Sequence, residues 1–229
     1  MKTVAIIQAR MGALRLPNKM LLHLHGYPIC EWVFRRVRLA EKLDQVVFAI
    51  PDTERNDVLA CFLSSIGATL FRGSENDLVD RYYQAATQVG ADQIVRVCAD
   101  NPLICASEID RLANFFERES CDYAYNHVPR GNRYPDGLGA EICAMQLLEE
   151  VQQKAKTPEC REHLFNIVWD NRSDYIIKTF NPPNELAFPE LKLDLDDMAD
   201  YQRLLEKSYR IDMSAREAVQ TALGKQGEI

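Results

Sequence analysis

Short continuous apolar runs alternate with longer segments whose apolar residues recur every three or four positions. The runs at Thr3–Ile7, Gln45–Ile50, Thr69–Phe71 and Gln93–Val97 lack the in–out alternation of a strand with one wet face. They predict strands covered on both sides, as in a parallel sheet. Between them, Ile29–Ala40, Arg55–Ile66 and Leu78–Val89 carry helical spacing. Gly67 and Gly90 stand just past two of these segments, where a left-handed residue closes a helix without steric penalty. Ser107 followed by Asp110 gives a capping signal for a further helix over Glu108–Arg118.

The second half is less regular. Tyr123–Asn126 predicts a strand, and a turn-rich stretch from His127 to Gly139 follows; a loop of that length points to function rather than connection. Helices are predicted over Met145–Ala155 and Pro158–Asn171, the second with Thr157 as cap and Pro158 at its first position. Tyr175–Phe180 and Leu191–Leu195 predict strands, Met198–Tyr209 a helix, and the tail from Ser214 a short helix fraying after Gly224. The alternation as a whole predicts an α/β fold with a mainly parallel sheet.

Composition narrows the partners. The 229 residues carry a formal net charge of −7, which argues against a broad nucleic-acid surface, since such surfaces are basic. An anion site must then be local. Seven scattered cysteines without a C-x-x-C pair predict reduced thiols rather than disulfides or zinc. The N-terminal apolar run is too short for a signal peptide or membrane span, so a cytoplasmic protein is expected.

The strongest chemical signal follows the first strand. In the segment I-I-Q-A-R-M-G-A-L-R-L-P-N-K, Arg10, Arg15 and Lys19 fall within one loop, with Gly12 permitting close backbone approach. Ligands of α/β sheets bind beyond the carboxyl ends of the strands, and several cations around backbone amides suit a polyphosphate. This segment resembles the signature loop of the cytidylyltransferases that activate acidic sugars, the CMP-sialic acid and CMP-Kdo synthetases, and above all their relatives typified by spore coat polysaccharide biosynthesis protein F. Leu14 stands where that family usually has a small hydroxyl residue, and Asn18 where it has glycine. Asparagine tolerates positive φ, so Asn18 is expected to keep the turn.

The resemblance continues in order along the chain through Phe71–Ala86, Val95–Ile104, Tyr134–Leu138, Glu141, Arg161–His163 and Leu193–Asp200. It implies a three-layer Rossmann-like nucleotidyltransferase fold over residues 1–229, with an acceptor-side and dimerisation lobe drawn from about 127–190. It implies that Asp100 and Asp196 bind Mg2+. Asp194, two residues from Asp196 on an extended chain and hence on the same face, is a further candidate ligand. Asp196 has a second reading, since it or Asp197 can cap the helix from Met198. Nucleotide contacts are expected from Gln8, Ala9, Arg10, Gly12, Arg15, Lys19, Arg72 and Arg96. Arg96 lies in an otherwise apolar strand and needs a partner, either a ligand anion or a carboxylate. Asp80 and Arg81 read equally well as a helical surface ion pair. Acceptor contacts are assigned to Arg130, Arg133, Tyr134, Asp136, Glu141, Arg161 and His163. His163 suits a structural helical histidine as well as a site residue.

The reaction implied is magnesium-dependent transfer of CMP from CTP to an acidic sugar or related acceptor by a homodimeric enzyme. Two other readings stay open on the residues: a nucleotide-sugar glycosyltransferase, from the D-x-D of Asp194–Asp196, and a non-catalytic nucleotide-binding regulator.

Overall fold

A computed structural model describes residues 1–224; the expectation for the tail beyond Gly224 lies outside these residues. The chain runs through β1 (Thr3–Gln8), a small hairpin β2 (His23–Leu24) and β3 (Tyr27–Pro28), α1 (Ile29–Val37), β4 (Gln45–Pro51), α2 (Asp57–Ser65), β5 (Thr69–Gly73), α3 (Leu78–Gln88) and β6 (Gln93–Cys98). It continues with α4 (Ala106–Arg118), β7 (Tyr123–Tyr125), β8 (Glu141–Ala144), α5 (Met145–Lys154), α6 (Pro158–Glu162), α7 (Asn166–Asp170), β9 (Ile177–Thr179), α8 (Met198–Leu205) and α9 (Ala215–Ala222).

Seven strands form one sheet in the order β5-β4-β1-β6-β8-β7-β9. β5, β4, β1 and β6 are parallel neighbours, and β8 alone runs against the other six. The continuous apolar runs follow from burial on both faces. Ala5 and Ile7 of β1 pack with Val33 of α1, Leu63 of α2 and Leu112 of α4, whereas Val4 and Ile6 pack with Tyr82 of α3 and Leu148 of α5. This is the expected three-layer arrangement. A third cluster joins Trp32, Leu195, Leu204 and Val219 and fastens α8 and α9 to α1. Among the described residues, no helix is long and apolar enough to cross a membrane.

Gly67 and Gly90 take the positive φ that their positions called for. Ser214 and Asp197 close capping boxes on α9 and α8, while Ser107 lies inside α4, which starts at Ala106. Three expectations change. The helix predicted over Pro158–Asn171 is broken into α6 and α7, because Leu164 and Phe165 leave the helical path and are buried in the second layer. Leu191–Leu195 keeps its alternation, with Leu193 and Leu195 buried, but forms a single bridge, Lys192 to Asp136, rather than a strand. The segment from Glu141 to Ala144, hidden between a turn-rich loop and a helix start, is a central strand. Part of the stretch assigned to a separate lobe thus belongs to the main sheet, through β8 and β9.

Candidate active site

The order β5-β4-β1-β6 reverses direction of winding between β1 and β6, and a crevice opens there at their carboxyl ends. It is a cleft of about 700 Å³, walled by the loop after β1, the start of α3, the end of β6, the α6 turn and Asp196.

The loop after β1 is held rigidly. The Met11 N–H donates to Asn56 Oδ1 at 2.9 Å, and the Met11 carbonyl accepts from the Asn18 N–H at 3.2 Å. Asn18 has φ 61°, the left-handed conformation in which asparagine replaces glycine at little cost. That turn aims Lys19 inward. Its Nζ lies 2.7 Å from Asp100 Oδ2 and 2.7 Å from the Leu195 carbonyl, and 3.9 Å from Asp196 Oδ1. Arg15 Nη2 reaches Asp196 Oδ1 at 2.9 Å from a largely exposed position. Leu14 stands 95% exposed at the cleft mouth.

Asp100 and Asp196 therefore converge on one lysine from two distant parts of the chain. The capping role falls to Asp197, and the Asp196 side chain faces the cleft. Two carboxylates facing one cleft beside several cations form a donor set suited to a hard divalent cation whose remaining shell comes from other oxygens, and to an anionic ligand that the cations can reach. Asp194 does not border the cleft. Its backbone N lies where a Cβ on Gly137 would come within 2.8 Å, and burial, together with Asp136 nearby, pushes its carboxyl up to about 7. Its Oδ1 is buried without a hydrogen bond.

Gln8, Ala9, Arg10, Arg15, Lys19, Arg96, Asp100, His163 and Asp196 all line the cleft. Gln8 Oε1 accepts from Tyr82 Oη and Arg96 Nε, both at 3.2 Å. Of the two partners foreseen for Arg96, the carboxylate is present: it lines the cleft and pairs with the buried Glu141, which in turn accepts from Tyr123 Oη. His127 Nε2 lies 3.7 Å from Glu141, and burial holds the His127 imidazole below its ordinary pKa. Glu141 thus touches the cleft only through Arg96.

Other candidates lie elsewhere. Arg72 pairs with Asp52 and Asp57 at 2.9 and 2.6 Å on β5, the strand at the sheet edge. Arg161 spends its guanidinium on Asp77, Gln152 and the Ala155 carbonyl. Tyr134 is fully buried and donates to Glu108 Oε2 at 2.6 Å. Arg130 stacks on Trp169 with 4.5 Å from Cζ to the ring centroid, Arg133 reaches the Ala187 carbonyl, and Asp136 bridges to Lys192. Gly12 packs near Arg55 and Glu75. At Gly139 a Cβ would run into the Asn126 carboxamide and backbone carbonyl, so this position has no room for a side chain.

Arg81, read as half of a surface ion pair, is buried and lines the cleft. It donates to the Ser74 carbonyl and has no carboxylate within ion-pair distance among the described residues. The signal was present in its spacing: position 81 shares a helix face with Leu78, Tyr82 and Ala85, and a cation in an apolar stripe needs a reason.

Comparison with known proteins shows the family. The cytidylyltransferase family model matches residues 4–167. An uncharacterised protein of Methanocaldococcus jannaschii is 31% identical over 93% of this chain and 86% of its own. The spore coat polysaccharide biosynthesis protein SpsF of Bacillus subtilis is 28% identical over 93% and 91%. Among solved structures, a cytidylyltransferase from Leptospira borgpetersenii superposes with a TM-score of 0.88 at 28% identity, covering 98% of this chain and 94% of that one. The structure of CMP:2-keto-3-deoxy-manno-octonic acid synthetase complexed with CTP shares the fold, with a TM-score of 0.68 at 18% identity over 90% and 98%. With the match spanning most of the sheet and the loop after β1, the chain belongs to the cytidylyltransferase family and is a nucleotidyltransferase.

Proposed function

We propose that this enzyme transfers CMP from CTP to an acidic sugar or a related acceptor, releasing pyrophosphate, with Mg2+ held by Asp100 and Asp196. The observation that carries the reading is the convergence of these carboxylates with Lys19 and Arg15 in one cleft at the ends of β1 and β6. Names of relatives support the substrate classes: SpsF serves spore coat polysaccharide synthesis, and a 3-deoxy-manno-octulosonate cytidylyltransferase of Bdellovibrio bacteriovorus is 32% identical over 51% of this chain and 46% of its own.

In this reading an acceptor oxygen attacks the α-phosphorus and pyrophosphate leaves. The protein does little covalent work; it positions the reactants and offsets charge. Arg10, Arg15 and Lys19 hold the β- and γ-phosphates and steady the leaving group. Arg81, buried and lacking a carboxylate partner, adds a fixed cation at the α3 side of the same wall. Gln8, whose Oε1 is engaged by the protein, turns its amide nitrogen to the base. Arg96, beside Gln8, serves the nucleotide and is kept in place by Glu141, and His163 faces the acceptor. When bound, the magnesium ion neutralises phosphate charge and lowers the pKa of a hydroxyl acceptor. The glycosyltransferase reading loses its basis, because Asp194 does not reach the cleft.

We read the protein as a cytoplasmic homodimer serving surface polysaccharide or glycan synthesis. The deciding experiment incubates the enzyme with each of the four NTPs, MgCl2 and a panel of acidic sugars, sugar phosphates and phosphonates while pyrophosphate is followed. Release with CTP and one acceptor class is expected. CTP stabilisation without turnover on any acceptor would instead favour a nucleotide-binding regulator.

A further inference from the structure

Asp200 lies outside the cleft, 4% exposed in the first turn of α8, yet four donors meet on it. Its Oδ2 accepts from the Asp196 N–H at 2.9 Å, the Asp197 N–H at 3.3 Å and Lys192 Nζ at 2.5 Å. Its Oδ1 accepts from Arg203 Nη1 at 2.6 Å. A capping box requires only the bond to the cap residue Asp197. The shorter bond to the Asp196 N–H goes beyond capping: it orients the peptide of the residue whose carboxylate faces the cleft.

Lys192 is shared. Besides Asp200, its ammonium lies 3.3 Å from Asp196 Oδ2 and 3.9 Å from Asp194 Oδ1. Three carboxylates compete for one cation, and Asp200 has the shortest contact. Asp196 already meets Arg15 and Lys19, cations that a bound triphosphate can draw off; a further ammonium with no phosphate to move to competes with a hard divalent cation for the Asp196 oxygens, and groups that orient a ligand tune metal affinity.

We infer that Asp200 is a positioning residue for the metal-binding edge of the cleft: it fixes the Asp196 peptide and competes with the Asp196 carboxylate for Lys192, which keeps its shorter contact on Asp200 and a longer hydrogen bond to Asp196 Oδ2. This rests on the reading of Asp100 and Asp196 as the metal's carboxylates.

The test is calorimetric and needs no turnover. CTP is titrated into the full-length protein without acceptor, once in EDTA and once in saturating MnCl2, and the gain in affinity from the metal is the readout. Wild type shows a gain and Asp196→Ala abolishes it. Asp200→Asn is expected to cut the gain about tenfold with affinity in EDTA unchanged, because Lys192 then settles on Asp196. Adding Lys192→Met to Asp200→Asn is expected to recover most of the loss, and Asp197→Ala, which removes the cap alone, to keep the wild-type gain. A merely structural role would make the double variant worse and the cap variant equally poor. An undiminished gain in Asp200→Asn, or a double variant no better than the single, overturns the inference while leaving the metal assignment intact. Absence of any gain in wild type overturns both. Should Asp200→Asn not fold, Lys192→Met alone tests the same competition: a gain at or above wild type is expected, and a loss overturns the idea.

Discussion

The backbone N–H of Leu195 donates to the carbonyl of Asp100 at 2.8 Å. This single bond joins segments almost a hundred residues apart and sets Asp196 beside the turn after β6. The Asp196 carboxylate therefore has a fixed place in the cleft without a strand to carry it. Replacing Asp196 by Ala is expected to lower turnover at least about 100-fold, the scale of losing one electrostatic contribution to the transition state, here the cation that its carboxylate would hold. The backbone bond survives that change, so the melting temperature should stay near wild type. Near-normal turnover would remove Asp196 from the site.

Arg15 is largely exposed and its pair with Asp196 is screened by solvent, so its value lies in ligand binding. Arg15→Ala should weaken CTP binding about tenfold by calorimetry, the scale of one lost charge-assisted hydrogen bond, while thermal stability changes little. Equal CTP affinity in the variant would show that the arginine does not meet the phosphates.

Asn56 is fully buried and its carboxamide spans the Met11 N–H and Thr53 Oγ1. Asn56→Ala leaves a buried N–H unsatisfied, costing about 1–3 kcal/mol, which corresponds to a fall of about 2–12 °C in melting temperature for a chain of this size. Because the same bond holds the loop bearing Arg10, the KM for CTP should rise as well. A thermal loss without a KM change would mean that the loop keeps its shape without the asparagine.

Gly139 meets Asn126 so closely that even a methyl group is excluded. The Asn126 carboxamide also ties the Ala140 N–H to the Glu108 carbonyl, so no easy shift makes space. Gly139→Ala should lower the melting temperature by about 2–12 °C, the scale of overpacking by about 1–3 kcal/mol. An unchanged melting temperature would show that β8 can move away from Asn126.

His127 gives the stability a pH limb. Its folded pKa lies below the ordinary value near about 6.5, chiefly through burial. The unfolded chain therefore binds the proton more readily, and the stability contribution is present above about pH 6.5 and lost as pH falls below it. Melting temperature should decline from pH 7 to 5, and His127→Gln should flatten that decline. An equally steep decline in the variant would assign it to other groups.

Much of this was legible in the chain. Continuous apolar runs separated by helical spacing require strands buried on both faces, and that alone calls for a three-layer parallel sheet. Basic residues directly after the first strand suit an anion at its carboxyl end, where the cleft opens, and Asn18 in place of glycine announced a positive φ. These are local consequences of periodicity and backbone sterics. Long-range geometry decided the rest. Whether Arg161 meets a substrate or Asp77, whether Arg81 sits on the surface or in the cleft wall, and whether Asp194 or Asp196 faces the ligand all depend on which element packs against each side chain. The helix predicted over Pro158–Asn171 broke because burying Leu164 and Phe165 outweighed local propensity, and that break carried His163 to the cleft. A polar side chain's role is set by the partners that packing brings within about 3 Å of it, and those partners come from distant parts of the chain.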